Sequence, residues 1–236
     1  MRICNQSVHI WTIPISDLKH RLREYKSTLT TPELKRAARL LTDQDRTSFT
    51  LARGGLRSIL SQYLDMPAKD IPLSYEAHGK PRLSQRVKTT LEFNLSHSGD
   101  YALCALTKKN SIGVDIEKIR TADPNHYVRL ATRFFSKPEA DVLITAPESE
   151  RTFLFFCGWT RKEAYIKRHG LGLGLPLSDF TVTIDHRKSA QLVDTPWQPN
   201  DLQKTRIYDL KTENGYRAAY AIASTRPKRV KYYIEN

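Results

Sequence analysis

The sequence predicts an α+β fold built from two similar α/β-sandwich-like halves related by pseudo-twofold symmetry. Three observations predict it: the chain matches itself at an offset of about 105 residues, both copies pass from strand to helix to strand periodicity, and helix-capping signals recur at equivalent places. Val8-His9-Ile10-Trp11 lines up with Val114-Asp115-Ile116-Glu117, and Thr31-Pro32-Glu33 with Lys137-Pro138-Glu139. Asp45-Arg46-Thr47 lines up with Glu150-Arg151-Thr152, Arg57-Ser58 with Lys162-Glu163, and Ile71-Pro72-Leu73-Ser74 with Leu175-Pro176-Leu177-Ser178. Matches in one order imply two copies of a strand–helix–helix–strands unit packed as a pseudo-dimer. Residues 1–110 form the N-terminal half on this reading and 111–236 the C-terminal half.

The elements follow in order. Thr30 or Thr31 before Pro32 and Glu33 marks a helix start, with proline in the first turn where its missing N–H is tolerated. A longer helix spans about Asp43 to Leu64, interrupted by Gly54-Gly55. Glycines cost about 1 kcal/mol each relative to alanine inside a helix, so close helix packing or ligand approach requires them. Leu91 to Leu95 and Tyr101 to Leu106 read as strands joined by a Ser96-His97-Ser98-Gly99-Asp100 turn. Ile112 to Glu117 is the next strand, and Asp123 to Asn125 a loop. Ser136-Lys137-Pro138-Glu139 repeats the capping box. A helix from about Arg151 to His169 ends at Gly170, which takes positive φ at little cost. Phe180 to Ile184 and Tyr216 to Ala223 are strands of the second half.

The chemistry lies in three carboxylates. As a strand, Ile112 to Glu117 turns Asp115 and Glu117 to one face, roughly 7 Å apart, so that both reach a single cation. On the following long helix, Phe155, Phe156, Trp159, Thr160, Glu163, Ile166 and Lys167 share a face at about 100° per residue. An unpaired charge buried among those aromatic rings costs several kcal/mol or is forced neutral. An exposed Glu163–Lys167 ion pair one turn apart would explain two of the charges and contributes about 0.3–0.5 kcal/mol. Hard oxygen ligands converging on Mg²⁺ explain all three acids at once. The first copy has His9, Trp11 and Ser58 at the matching positions, so one metal site is implied rather than two.

Composition narrows the partners. The 236 residues include 38 Lys and Arg against 25 Asp and Glu, a formal net charge of +13. Such a field draws nucleic acid, anionic lipid, phosphorylated small molecules or acidic proteins. Zinc-finger spacing, an RNP motif and a glycine- or arginine-rich tail are all missing, so no nucleic-acid partner is expected. The cysteines Cys4, Cys104 and Cys157 are odd in number and have no C-x-x-C spacing, which fits a reduced, cytoplasmic setting with Cys104 and Cys157 as core filler. The first residues lack the apolar region of a signal peptide, and no window approaches about 18 apolar residues. A soluble protein without a membrane partner is expected.

Gly113-Val114-Asp115-Ile116-Glu117, followed by Trp159-Thr160-Arg161-Lys162-Glu163-Ala164-Tyr165-Ile166-Lys167 and Gly170-Leu171-Gly172-Leu173, resembles the two signature motifs of the Sfp-type 4′-phosphopantetheinyl transferases. Gly79-Lys80-Pro81 and Phe93-Asn94-Leu95-Ser96-His97-Ser98-Gly99 resemble that family's upstream motifs, and the resemblance runs from about Asp43 to Leu175. It implies the family's fold and an enzyme that moves phosphopantetheine from coenzyme A to a serine of an acyl, peptidyl or polyketide carrier protein, releasing 3′,5′-ADP. By the family pattern Asp115, Glu117 and Glu163 hold Mg²⁺ against the pyrophosphate, and Lys167 serves the leaving phosphate. Either Glu163 or a water on the metal takes the serine proton. Lys162, about 100° round the helix, points to another phosphate or to structure. Ser96 and His97, with Lys80, resemble the family's contacts to the 3′-phosphate, as do Arg46 and Arg53. Asn94 contacts coenzyme A or braces the turn. A monomer with an internal pseudo-dimer follows from the duplication. A different Mg²⁺-dependent phosphoryl-transfer enzyme such as a nuclease would use the same acids, and a non-enzymatic nucleic-acid-binding protein is the alternative from another class.

Overall fold

Each half opens with a strand, runs through three helices and returns in antiparallel strands. The first half contains β1 (Ser7–Pro14), α1 (Leu22–Thr28), α2 (Thr31–Ala38), α3 (Asp43–Leu64), β2 (Leu73–Tyr75), β3 (Pro81–Leu83), β4 (Leu91–Ser98) and β5 (Tyr101–Lys108). The second contains β6 (Ile112–Lys118), α4 (Pro124–Phe134), α5 (Lys137–Thr145), α6 (Glu148–His169), β7 (Thr181–Val182), β8 (Leu192–Asp194), α7 (Asp201–Lys204), β9 (Thr205–Asp209) and β10 (Tyr216–Ala223). A last strand, β11 (Arg229–Ile234), follows. This computed structural model describes the backbone of residues 1–236 and every side chain except those of Pro124 and Leu173, so the Leu173 side chain of the glycine-rich motif lies outside the described residues.

Strand order repeats with element order. β5 lies between β1 and β4, and β10 lies between β6 and β9, every one of these neighbours antiparallel. α3 and α6 are each 22 residues long and stand at the same place in the sequence of elements. Capping boxes open both α2 and α5, through Thr30 with Glu33 and Ser136 with Glu139. One of the five sequence matches is misplaced. Pro67 caps the 3-10 turn Ala68–Asp70 as Pro176 caps Leu177–Asp179, so Met66-Pro67 is the counterpart of Leu175-Pro176. Ile71-Pro72 leads instead into β2, and a shared apolar-Pro-apolar-Ser string produced the shift.

Alternation along the strands assigns their faces. Val8 and Ile10 of β1, Leu103 and Ala105 of β5, Val114 and Ile116 of β6, and Ala218 and Tyr220 of β10 form one core between the two sheets. The opposite faces pack on helices. Trp11, Ile13 and Cys104 meet Leu51, Leu56 and Ile59 of α3. Ala219 and Ala221 meet Phe155, Phe156 and Tyr165 of α6. Gly54 and Gly55 do not interrupt α3; a Cβ at Gly54 would strike Tyr25 of α1 and one at Gly55 would crowd Ile13 of β1, so their role is close packing.

Local differences from the sequence reading have physical causes. β4 continues through Ser96 and His97 to Ser98 and leaves Gly99, at φ +57°, and Asp100 as the turn. Backbone pairing with β5 and side chains bonded across to β6 keep this polar stretch extended. Asp123 is a helix cap rather than loop, its side chain accepting the Asn125 N–H at 3.1 Å. The strand expected over Phe180 to Ile184 contracts to β7, where the register shifts between Thr181 and Val182. β11 was not expected. It crosses back to pair parallel with β1, so the chain's end joins the first sheet rather than the rest of residues 111–236.

Candidate active site

A cleft of about 280 Å³ between the halves collects the charged residues. Arg36, Phe49 and Arg53 line it from α2 and α3, His78, Gly79 and Lys80 from the segment leading into β3, Asn94 and His97 from β4, and Glu163 and Lys167 from α6.

At one end β6 lies directly against α6. Gly113 makes that approach possible, since a Cβ there would collide with the backbone of Ala164, Lys167 and Arg168. Asp115 and Glu117 follow on the same face of β6. Asp115 is 1% exposed. Its Oδ1 accepts from Ser96 Oγ at 2.9 Å and Lys167 Nζ at 2.5 Å, while Oδ2 is buried with no hydrogen-bond partner among the described residues. Glu117 Oε2 accepts from Ser98 Oγ at 2.8 Å. Burial raises the pKa of Asp115 against the pull of Lys167, and burial together with the Asp115 charge raises that of Glu117. Glu163 is pushed up to about 7 by burial, then by Asp115. Lys167 turns across to Asp115, whose charge raises its pKa against the effect of burial. The alternative one-turn pair with Glu163 gives way to this contact between strand and helix.

The donor chemistry suits a divalent ion. Three carboxylates stand within each other's fields, and the orphan Oδ2 of Asp115 offers a hard oxygen with no other partner. Among the described residues no three His, Cys, Asp or Glu side chains form a ready-made ligand cluster, so the fit rests on donor type and proximity, not on a preformed cage.

The other end of the cleft is cationic. Arg53 is 6% exposed, and its Nε and Nη1 have no hydrogen-bond partner among the described residues; its nearest carboxylate oxygen, Glu33 Oε1, is 3.8 Å away. A buried guanidinium so poorly satisfied has N–H groups left over that an anion could take. His97 lines the same end, and the desolvating cleft walls, with the charges of Lys167 and Arg53, hold its pKa below the ordinary value.

Several expected ligand contacts are otherwise engaged. Lys162 lies outside the cleft, fully buried, with its ammonium 2.8 Å from Glu139 Oε2 and donating to the Leu177 and Phe180 carbonyls at 2.8 and 2.5 Å. No phosphate reaches it. Arg46 donates to the Leu40 and Leu41 carbonyls and to Asp43 Oδ1, which fastens the loop before α3 and turns it from the cleft. Ser96 faces Asp115 and Lys167 instead of the cationic end, because strand alternation sends it opposite to His97. Lys80 lines the cleft, but its ammonium donates to the Ile112 and Arg168 carbonyls at 3.2 and 3.1 Å. Asn94 braces β6, its Oδ1 accepting the Val114 N–H at 2.8 Å.

The sequence reading missed Arg36, His78 and Ser98. Arg36 follows Lys35 in the last turn of α2 and looks like solvated charge. His78 stands just before the Gly79-Lys80-Pro81 motif, and Ser98 stood inside the motif already quoted.

The comparisons agree with this geometry. Residues 111–222 match the 4′-phosphopantetheinyl transferase superfamily, and residues 16–109 match the 4′-phosphopantetheinyl transferase N-terminal family. The 4′-phosphopantetheinyl transferase HetI of Nostoc sp. is 37% identical over 198 residues, covering 83% of this chain and 82% of that protein. The 4′-phosphopantetheinyl transferase Sfp of Bacillus subtilis is 36% identical over 142 residues, 59% of this chain and 60% of Sfp. The human L-aminoadipate-semialdehyde dehydrogenase-phosphopantetheinyl transferase is 29% identical, over 61% of this chain and 49% of that protein. The nuclease and nucleic-acid-binding alternatives give way accordingly. With acids on one matched half and cations on the other, and with both halves matched in order, the chain belongs to the Sfp-type 4′-phosphopantetheinyl transferases and is a transferase enzyme.

Proposed function

We propose that the protein transfers 4′-phosphopantetheine from coenzyme A to a serine of an acyl, peptidyl or polyketide carrier protein, with Mg²⁺ held by Asp115, Glu117 and Glu163. One observation carries the reading: a single cleft has a desolvated, under-bonded arginine at one end and, at the other, Glu163, whose carboxyl lies in the fields of Asp115 and Glu117 on the adjoining strand. Coenzyme A carries a terminal 3′-phosphate and an inner pyrophosphate, which match those ends in order. The N-terminal half supplies the cations Arg36 and Arg53 and the imidazole of His97. The C-terminal half supplies the acids and Lys167.

In the reaction, the serine Oγ attacks the β-phosphorus of the coenzyme A diphosphate, the bond from that phosphorus to the bridging oxygen breaks, and 3′,5′-ADP departs with the bond's electrons. Bound Mg²⁺ supplies charge neutralisation at the pyrophosphate. Glu163, which lines the cleft within the field of Asp115, is the group we assign to receive the serine proton. Lys167, fixed by Asp115 and Ser96 at the edge of the cleft, presents an ammonium to the departing diphosphate oxygens.

Among the described residues no helix is long and apolar enough to cross a membrane. Cys4, Cys104 and Cys157 are free thiols, which supports a reducing, cytoplasmic setting. A monomer is supported by the second half serving as the first half's packing partner. Intact-mass measurement on a panel of carrier proteins, given coenzyme A with and without Mg²⁺, tests the reading. One added phosphopantetheine, only with the metal, is the expected result; no gain on any carrier while a known transferase succeeds in parallel refutes it.

A further inference from the structure

Ser98 ends β4, next to the turn, and its hydroxyl makes two bonds at once. Oγ accepts the Lys118 N–H at 3.1 Å and donates to Glu117 Oε2 at 2.8 Å. With one lone pair taken by the amide, the hydroxyl proton is directed at the carboxylate. Asn94, Ser96 and Ser98 share one face of β4, and their side chains lace the edge of that strand to the edge of β6. Each bond thereby satisfies an edge amide of β6 or orients one of its acids.

The backbone beneath Ser98 is fixed independently. The Asp100 N–H donates to Tyr216 Oη at 2.9 Å, and Lys118 Nζ lies 2.8 Å from Asp100 Oδ2, so the turn is pinned to β6 and β10. Glu117 has no such enclosure. It is partly exposed near the end of an edge strand, whereas Asp115 is buried between two donors. A long side chain with free rotamers loses its aim unless something holds it.

We propose that Ser98 is a positioning residue for Glu117, holding that carboxylate towards Asp115 and Glu163 and leaving its second oxygen for a divalent cation. The inference rests on the Mg²⁺ reading of the three acids. Groups that orient metal ligands typically change metal affinity about 10–100-fold when removed.

The test measures Mn²⁺ binding by electron paramagnetic resonance, with coenzyme A present, for the parent protein, Ser98→Thr, Ser98→Val and Ser98→Ala. Threonine and valine share a shape and differ in the hydroxyl. Ser98→Val and Ser98→Ala are expected to weaken Mn²⁺ binding about 10-fold or more, and to raise the metal concentration for half-maximal turnover in proportion, with kcat largely recovered at saturating metal. Ser98→Thr is expected to bind like the parent. A purely structural role would lower Tm in the valine and alanine variants without moving the metal titration. Parent-like Mn²⁺ affinity in Ser98→Val overturns the proposal and leaves the reading of the acids standing. A parent protein that binds no Mn²⁺ overturns both.

Discussion

Lys162 and Arg57 occupy one and the same place in the duplicated unit, and each closes a buried clamp on the glutamate of its half's capping box. Arg57 Nη2 lies 2.9 Å from Glu33 Oε2, and Nη1 donates to the Ala68 and Ile71 carbonyls at 3.0 Å each. Lys162 meets Glu139 and the Leu177 and Phe180 carbonyls in the same way. Arg46 and Arg151 form a second such pair, ion-paired with Asp43 and Glu148 three residues back and donating to carbonyls just before their own helix, Leu40 and Leu41 for Arg46 and Ile144 and Ala146 for Arg151. Interactions present in both halves belong to the architecture. Asp115, Glu117 and Glu163 have no acidic counterparts in the first half, and the proposed metal site rests on that difference.

Lys162 is therefore expected to be a stability residue. Lys162→Met leaves Glu139 buried without its cation, and removing one partner of a buried pair costs about 3–5 kcal/mol. Urea unfolding should show that loss, with much of it recovered in Lys162→Met/Glu139→Leu, while the KM for coenzyme A stays near the parent value. A raised KM with unchanged stability would return Lys162 to the phosphate site.

How much of this was legible follows from range. Asp115 and Glu117 declared themselves by strand alternation, and both capping boxes by a pattern four residues long. The partners of Lys162 were out of reach, because Glu139 and the Leu177 and Phe180 carbonyls converge on it only after α5 and the turn beyond α6 have packed. Ser96 and Ser98 looked like turn formers for a similar reason. They stay extended because their backbone pairs with β5 and their side chains bond β6, a strand of the other sheet, and no local propensity encodes that second contact.

The carboxylates carry a second prediction. Asp115→Ala and Glu163→Ala should each lower kcat by about 10²–10³-fold or more, as the loss of several kcal/mol of charge stabilisation requires. Far-ultraviolet circular dichroism should be unchanged, because neither removes apolar packing. Near-parent turnover in either variant would make the acids structural.

Glu163 also predicts a pH dependence of the metal-free protein. Its folded pKa of about 7 lies above the unfolded value of 4.5, so the folded state holds the proton more tightly. Stability from this group is full below pH 4.5 and falls as pH rises through 7, by on the order of 1–3 kcal/mol once partial exposure is allowed for. Melting curves with chelator present should show the parent losing Tm between pH 5 and 8 relative to Glu163→Gln. Parallel profiles for the two proteins would contradict the shift.

The cationic end should act on binding rather than on chemistry. Arg53→Ala and Arg36→Ala are expected to raise the KM for coenzyme A about 10-fold or more with a smaller fall in kcat, and to lose discrimination between coenzyme A and dephospho-coenzyme A. Lys80→Ala should behave differently. Its ammonium ties the Ile112 and Arg168 carbonyls together, so the loss should appear in Tm while discrimination persists.

The last strand gives a prediction about the half without a metal. β11 stands beside β1 as β4 stands beside β6, and it fills the place related to the active site: Tyr233 stacks on Trp11 with ring centroids 4.9 Å apart and lies 5.0 Å from His9, which itself bonds Tyr63 Oη at 2.7 Å. His9 and Trp11 are the counterparts of Asp115 and Glu117, so aromatic packing occupies in one half the position that acids hold in the other. Beyond the strand, Glu235 accepts the buried hydroxyl of Tyr25 at 2.8 Å. Deleting residues 229–236 removes these contacts and bares the edge of β1, an open template for pairing with another chain. The truncated protein is expected to melt lower and to self-associate in light scattering, yet to retain measurable turnover at low temperature, since β4, β6 and α6 are intact. A truncated protein as stable and monodisperse as the parent would show that β11 is an ornament of the first sheet and not its closing strand.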